Sequence, residues 1–100
     1  MKISWLEPAE KELDDVFAYY ESVQEGLGYR FLAEVELSIS RITEFPKSYQ
    51  DIGKYSRRCL VHKFPYGLIY QHIESENEVL MVAVSHLHRI PDYWSSREKA

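Results

Sequence analysis

VLMVAVSH, residues 79–86, is apolar at every position until Ser85. A strand with one wetted face alternates apolar and polar side chains, so a run that is apolar on both faces belongs inside a sheet, covered on at least one side. Two shorter runs precede it, residues 55–63 and residues 66–73, joined by FPYG and followed by the acidic turn 74–78. Three strands separated by such brief turns form an antiparallel meander, with the last strand central.

The cover comes from upstream. Ala9, Leu13, Val16, Phe17 and Tyr20 recur at spacings of three and four. Pro8 suits the first turn of a helix, and Glu7, Glu10 and Glu12 suit its positive end, so a first helix runs to about Ser22. Gly26 and Gly28 bracket a turn, after which Phe31, Leu32, Val35, Ile39, Ile42 and Phe45 repeat with helical spacing until Pro46 stops the run. The two helices form a hairpin. Residues 2–6 alternate, with Ile3 and Trp5 pointing one way, and read as a short first strand that pairs outside the meander. The fold class is therefore α+β: a short N-terminal strand, an α-helical hairpin and a three-stranded antiparallel meander. Its 100 residues have room for one domain, 1–100, and leave little for a deep substrate cavity.

No apolar run approaches the ~18 residues of a spanning helix, and the N-terminus lacks the basic and apolar stretches of a signal peptide. No membrane association is expected, and the expected location is cytoplasmic. The lone Cys59 precludes an internal disulfide and reads as a buried small residue. The net charge of −4 conceals an asymmetry, because residues 1–45 carry four bases against ten acids whereas residues 46–72 carry five bases against Asp51 alone. That second stretch is the anion-facing candidate, although five bases make a weak nucleic-acid footprint.

Chemistry-capable groups crowd where the last strand ends: His86, His88, Arg89, Asp92, Tyr93, Trp94 and Arg97. If the strand continues, His86 and His88 share a face, and an antiparallel neighbour brings Arg57 or Arg58, His62 and Lys63 alongside. Three readings stay open. HxH with Asp92 has the donors of a metal site, but the motif is short and generic, and no metal or other cofactor is expected. Histidine proton carriers with Arg58 or Arg89 as charge stabilisers make a minimal kit for RNA cleavage through the 2′-hydroxyl. Alternatively, these groups finish strand hydrogen bonding, pack on Tyr93 and Trp94, or bind a protein. The terminal Tyr93–Trp94 pair either stacks on nucleobases or docks on the sheet to tie down the tail, and docking is favoured.

The order of elements, with the run RRCLVHKFPYGLIYQHI (residues 57–73) and the ending VAVSHLHRIPDYWSSR (residues 82–97), resembles the RelE/ParE superfamily of toxins from bacterial type II toxin–antitoxin and plasmid-stabilisation modules. The likeness covers nearly the whole chain. It implies a toxin neutralised by a cognate antitoxin that folds as it binds, in a toxin–antitoxin hetero-oligomer. In the RelE-like branch the toxin cleaves messenger RNA on the ribosome, and Arg58, Lys63, His86, Arg89 and Tyr93 occupy stretches comparable to its basic and C-terminal residues. In the ParE-like branch the target is DNA gyrase, inhibited by binding without acid–base chemistry. The acidic total and sparse lysines favour the ParE-like branch, with His86, His88, Arg89 and Arg58 catalytic only in the RelE-like case and Lys63, Tyr93, Trp94 and Arg97 as binding residues. A non-toxic partner-binding module on the same fold is the third possibility.

Overall fold

The computed structural model describes all 100 residues, Met1–Ala100. Strand β1 (Lys2–Trp5) leads into helix α1 (Glu7–Val23), which turns back into α2 (Leu27–Glu44), and the chain then runs through β2 (Gln50–Ile52), β3 (Ser56–Leu60), β4 (Tyr66–Ile73) and β5 (Glu78–His86). The strands make one sheet in the order β1-β5-β4-β3-β2. The meander expected from the sequence is its centre, and β5 is an interior strand between β4 and β1. Strand β1 pairs with β5 in parallel, Ile3 opposite Val79 and Trp5 opposite Met81.

Two details differ from the sequence expectation. The loop after α2 contains β2, three residues that pair antiparallel with β3, Gln50 opposite Arg58. Strand β3 stops at Leu60 rather than residue 63, because the chain turns at Lys63 with a left-handed φ of 71°. Strand β5 also bulges: Ile69 faces Ala83 while Tyr70 faces Met81, leaving Val82 without an opposite residue.

One face of the sheet carries the helices. Phe31, Val35 and Ile42 of α2 and Val16 of α1 bury against Cys59, Leu68, Tyr70, Val79, Met81 and Val84. Leu13, Tyr20, Leu32 and Ile39 pack against this core, whereas Phe17 meets Tyr29 edge to face and Phe45 is 55% exposed, because it lies past the last turn of α2 with a non-helical backbone. Glu21 Oε1 accepts the Gly28 N–H at 2.8 Å, satisfying an amide in the first turn of α2 that has no acceptor within the helix. The opposite face, left bare by the helices, buries Ile69, Val82 and Ala83 under Trp94, which is 1% exposed. This second layer explains why residues 79–84 are apolar on both faces.

Candidate functional site

Strand β5 outlasts β1, which ends opposite Met81, so the backbone of β5 beyond that point has an open edge. An unpaired buried edge is costly unless side chains close it. Glu12, in the second turn of α1, does so: its Oε1 accepts the Val84 N–H at 3.0 Å. Arg97 donates to the Val82 carbonyl at 3.1 Å and, through both terminal nitrogens, to the Glu12 carboxylate at 2.9 and 3.1 Å. Tyr93 Oη donates to Glu12 Oε2 at 2.7 Å. Arg89 stands 3.8 Å from the same oxygen, with its guanidinium 3.7 Å from the Tyr93 ring centroid. The Glu12 and Arg97 side chains are only 15% and 20% exposed. Burial first, and then the Glu12 carboxylate accepting its proton, push the Tyr93 hydroxyl up to about 12. One carboxylate therefore gathers three of the C-terminal groups singled out in the sequence.

The remaining tail is strapped across the bare sheet face. Gln71 and the Lys99 backbone exchange two hydrogen bonds, 2.7 and 2.9 Å, in the manner of a strand pair. Glu98 Oε2 accepts the Ser56 hydroxyl at 2.6 Å and the Tyr55 N–H at 2.8 Å. Between them Trp94 lies against Gly53, whose φ of +68° favours glycine and where a Cβ would come within 2.7 Å of the indole. The structure thus docks Trp94 on the sheet, as the favoured reading of the tail required, and leaves it no exposed face on which a base could stack.

The other site candidates separate. His86 lies opposite Tyr66 and their rings meet edge to face at 5.0 Å, so its side chain shares the helix face of the sheet. Arg58 lies opposite Ile69, which belongs to the Trp94 face. Cross-strand alternation therefore puts His86 and Arg58 on opposite sides of the sheet. The chain turns immediately after His86, and the His88 N–H donates to His86 Nδ1 at 3.0 Å, which requires the lone pair of that nitrogen and leaves the ring proton on Nε2. His88 is exposed, with its ring 5.3 Å from that of His86. Arg58 extends across Gly67, where a Cβ would sit 2.9 Å from its Cγ and Cδ, and donates to Gln50 Oε1 at 3.0 Å. Arg57 lies apart, bound to the Tyr49 carbonyl and Asp51. Lys63 and His62 are turned towards α2 instead: Lys63 faces Glu34 at 3.9 Å and His62 meets Arg41 at 3.3 Å. The strand order sets β4 between β3 and β5, and the left-handed turn at Lys63 carries the chain away from β3, so neither lies beside His86.

Two concavities flank this end. A cleft of about 50 Å³ is lined by Arg58, Ser85, Leu87, Arg89, Pro91 and Trp94, among others. A shallow groove of about 450 Å³ runs along the helix hairpin, floored by Trp5, Leu13, Leu32, Val35 and Ile39 and rimmed by Glu10, Asp14 and Glu36. Neither is the deep pocket of a small-molecule enzyme.

Sequence reasoning assigned Glu12 only to the helix dipole and missed its central place. A signal existed: Glu12 follows Ala9 by three and precedes Val16 by four, so it lies on the stripe that α1 buries, where an acid needs partners.

The chain matches the family model described as the ParE toxin of the type II toxin–antitoxin system, parDE, over residues 3–91. No curated protein matches it significantly. Among solved structures it is similar to a chain of the chromosomal ParDE toxin–antitoxin system from P. aeruginosa, with a TM-score of 0.70 at 12% identity, covering 88% of this chain and 97% of that one. That likeness is one of fold. The family match runs from β1 to just past the end of β5, and on that extent the chain belongs to the ParE toxin family of type II toxin–antitoxin systems.

Proposed function

We propose that this chain arrests growth by binding DNA gyrase, without acid–base chemistry of its own, and that a cognate antitoxin restrains it. The observation that carries this reading is the Glu12 cluster. A ribonuclease needs a proton carrier and free cations facing one substrate, whereas here Tyr93 and Arg97 are bound to Glu12, Arg89 is drawn towards it, and His86 Nδ1 is held by the next turn. Arg58 lies on the other face of the sheet from the His86 ring, and the net charge of −4 opposes close approach to ribosomal phosphates. Arg58, half-buried, and Arg89, exposed, serve on this reading as the binding groups. Trp94, Tyr93 and Arg97 hold the surface that displays them, and Lys63 has no part in it.

The hairpin groove suits the antitoxin. Its apolar floor and acidic rim favour an amphipathic segment with basic flanks, ordered on docking. The test is a supercoiling assay with purified gyrase and the isolated toxin. Inhibition that His86→Ala and His88→Ala leave intact is expected, and restoration of activity by the protein encoded beside it would complete the pairing. Intact gyrase activity together with messenger cleavage on translating ribosomes would overturn the proposal.

A further inference from the structure

Most exposed apolar residues are scattered, but three gather at one end of the sheet. Leu60, Leu87 and Ile90 are 49%, 40% and 77% exposed. Leu60 closes β3 opposite Gly67, on the face over which Arg58 extends, and Gly67 lies opposite Ser85. Leu87 and Arg89 line the same small cleft as Arg58, Ser85 and Pro91, with Ile90 between Arg89 and Pro91. Leu60 and Leu87 thus stand on either side of Gly67 and the Arg58 side chain that covers it, with Ile90 on the adjoining turn after β5.

That turn is built to hold its shape. The Leu87 N–H donates to the Pro65 carbonyl at 2.9 Å and the Arg89 N–H to the His86 carbonyl at 3.1 Å. Arg89 stacks on Tyr93, and Pro91 and Asp92, the latter with φ of 69°, fix the exit of the chain towards buried Trp94. An isoleucine held outward on an ordered turn loses little freedom when a partner covers it, which is the property of an interface anchor.

The exposed charge around it is mainly positive, because Glu12, 3.8 Å from Arg89, is mostly buried and bound to Arg97. Residues 54–73 contain no acid, and Asp92 is the only one in residues 79–97, on a chain whose total is −4. Arg58 and Arg89 flank the patch, and Arg89 keeps 54% of its side chain exposed. We infer that Leu60, Leu87 and Ile90, framed by Arg58 and Arg89, are the surface by which this toxin docks on its target, and that the target presents an acidic protein surface with an apolar cleft for Ile90. Three aliphatic side chains with no exposed aromatic among them favour a protein over a nucleic acid, which would call for stacking rings and denser cations. The inference rests on the reading of the chain as a target-binding toxin and names the contact it would use.

The test compares wild type, Leu87→Ser/Ile90→Ser, Arg58→Glu and a control, Leu37→Ser, on the exposed side of α2. Growth arrest on induction and binding to purified gyrase are measured for each, after equal thermal stability and antitoxin binding are established. The double variant is expected to lose arrest and to bind gyrase about 10- to 100-fold more weakly, Arg58→Glu to bind more slowly and with less salt dependence, and Leu37→Ser to match wild type. Arrest by the double variant at wild-type strength would overturn the inference whatever the target is. Loss of arrest in the double variant, with no gyrase binding by wild type, keeps the patch and overturns the gyrase reading. Wild-type self-association abolished by the double variant, or cross-linking of position 90 to RNA, would show another occupant and overturn the inference, and a wild-type chain that arrests nothing defeats both.

Discussion

Replacing Glu12 by alanine removes one carboxylate and orphans several donors at once. The Arg97 guanidinium, mostly buried, loses both of its bonds to the acid, the Tyr93 hydroxyl loses its 2.7 Å acceptor, and the Val84 N–H at the sheet edge loses its only side-chain partner. Breaking a fully buried pair by removing one member costs ~3–5 kcal/mol, and the residual exposure of both side chains places this one near the low end, at about 3 kcal/mol. Glu12→Gln keeps an acceptor for Val84 but not the charge, and should cost about 1–2 kcal/mol. For a chain of this size the alanine change lowers Tm by ~10–20 °C, and urea unfolding reads the same loss directly. The damage should be concentrated in the tail, because Arg89, Tyr93 and Arg97 all answer to Glu12. Brief trypsin treatment should therefore cut after Arg89 and Arg97 in the variant while wild type resists. A Glu12→Ala protein within about 0.5 kcal/mol of wild type, with an equally resistant tail, would refute the idea that this carboxylate locks the C-terminal end.

Other consequences are open to measurement. Trp94→Ala should cost ~3–5 kcal/mol and expose Ile69, Val82 and Ala83, seen as dye binding to the native-state ensemble at neutral pH. Above neutral pH, stability should begin to fall near pH 9, where Cys59, raised by burial in the fold, ionises in the unfolded chain, and fall further from about pH 10 towards pH 12: Tyr93 stays protonated in the fold up to about 12, while in the unfolded chain it ionises near its ordinary value of 10.0. Only the unfolded state releases the proton in that window. Tyr70, raised by burial, acts in the same direction, and denaturation midpoints at pH 9 and 11.5 should differ accordingly. His86→Ala should loosen the Tyr66 contact and the turn, yet leave growth arrest in place, whereas abolition of arrest by a folded His86→Ala protein would restore a catalytic role.

Much of this architecture is readable in the chain because it rests on local pattern. The unbroken apolar run 79–84 marks an interior strand, and the helical spacing of Val16, Phe31, Val35 and Ile42 marks the layer that covers it. Strand β2 is not readable: Gln50, Asp51 and Ile52 have no strand pattern of their own and become a strand only because β3 offers them an edge. The placement of the site residues is harder still. The bonds that gather Arg97 and Tyr93 on Glu12 span 85 and 81 residues of sequence, so no window along the chain contains them. Lys63 and Arg58 illustrate a different limit. A register of one residue and a single left-handed turn decide which face each reaches, and neither Arg57-Arg58 nor His62-Lys63 carries a signal that settles it.

Pulse labelling of DNA and protein synthesis within minutes of inducing the chain without its antitoxin bears most directly on the central claim. DNA synthesis is expected to fail first, with protein synthesis declining later. Protein synthesis failing first while DNA synthesis continues would contradict a gyrase-binding toxin and return His86, His88 and Arg89 to the role of an active site.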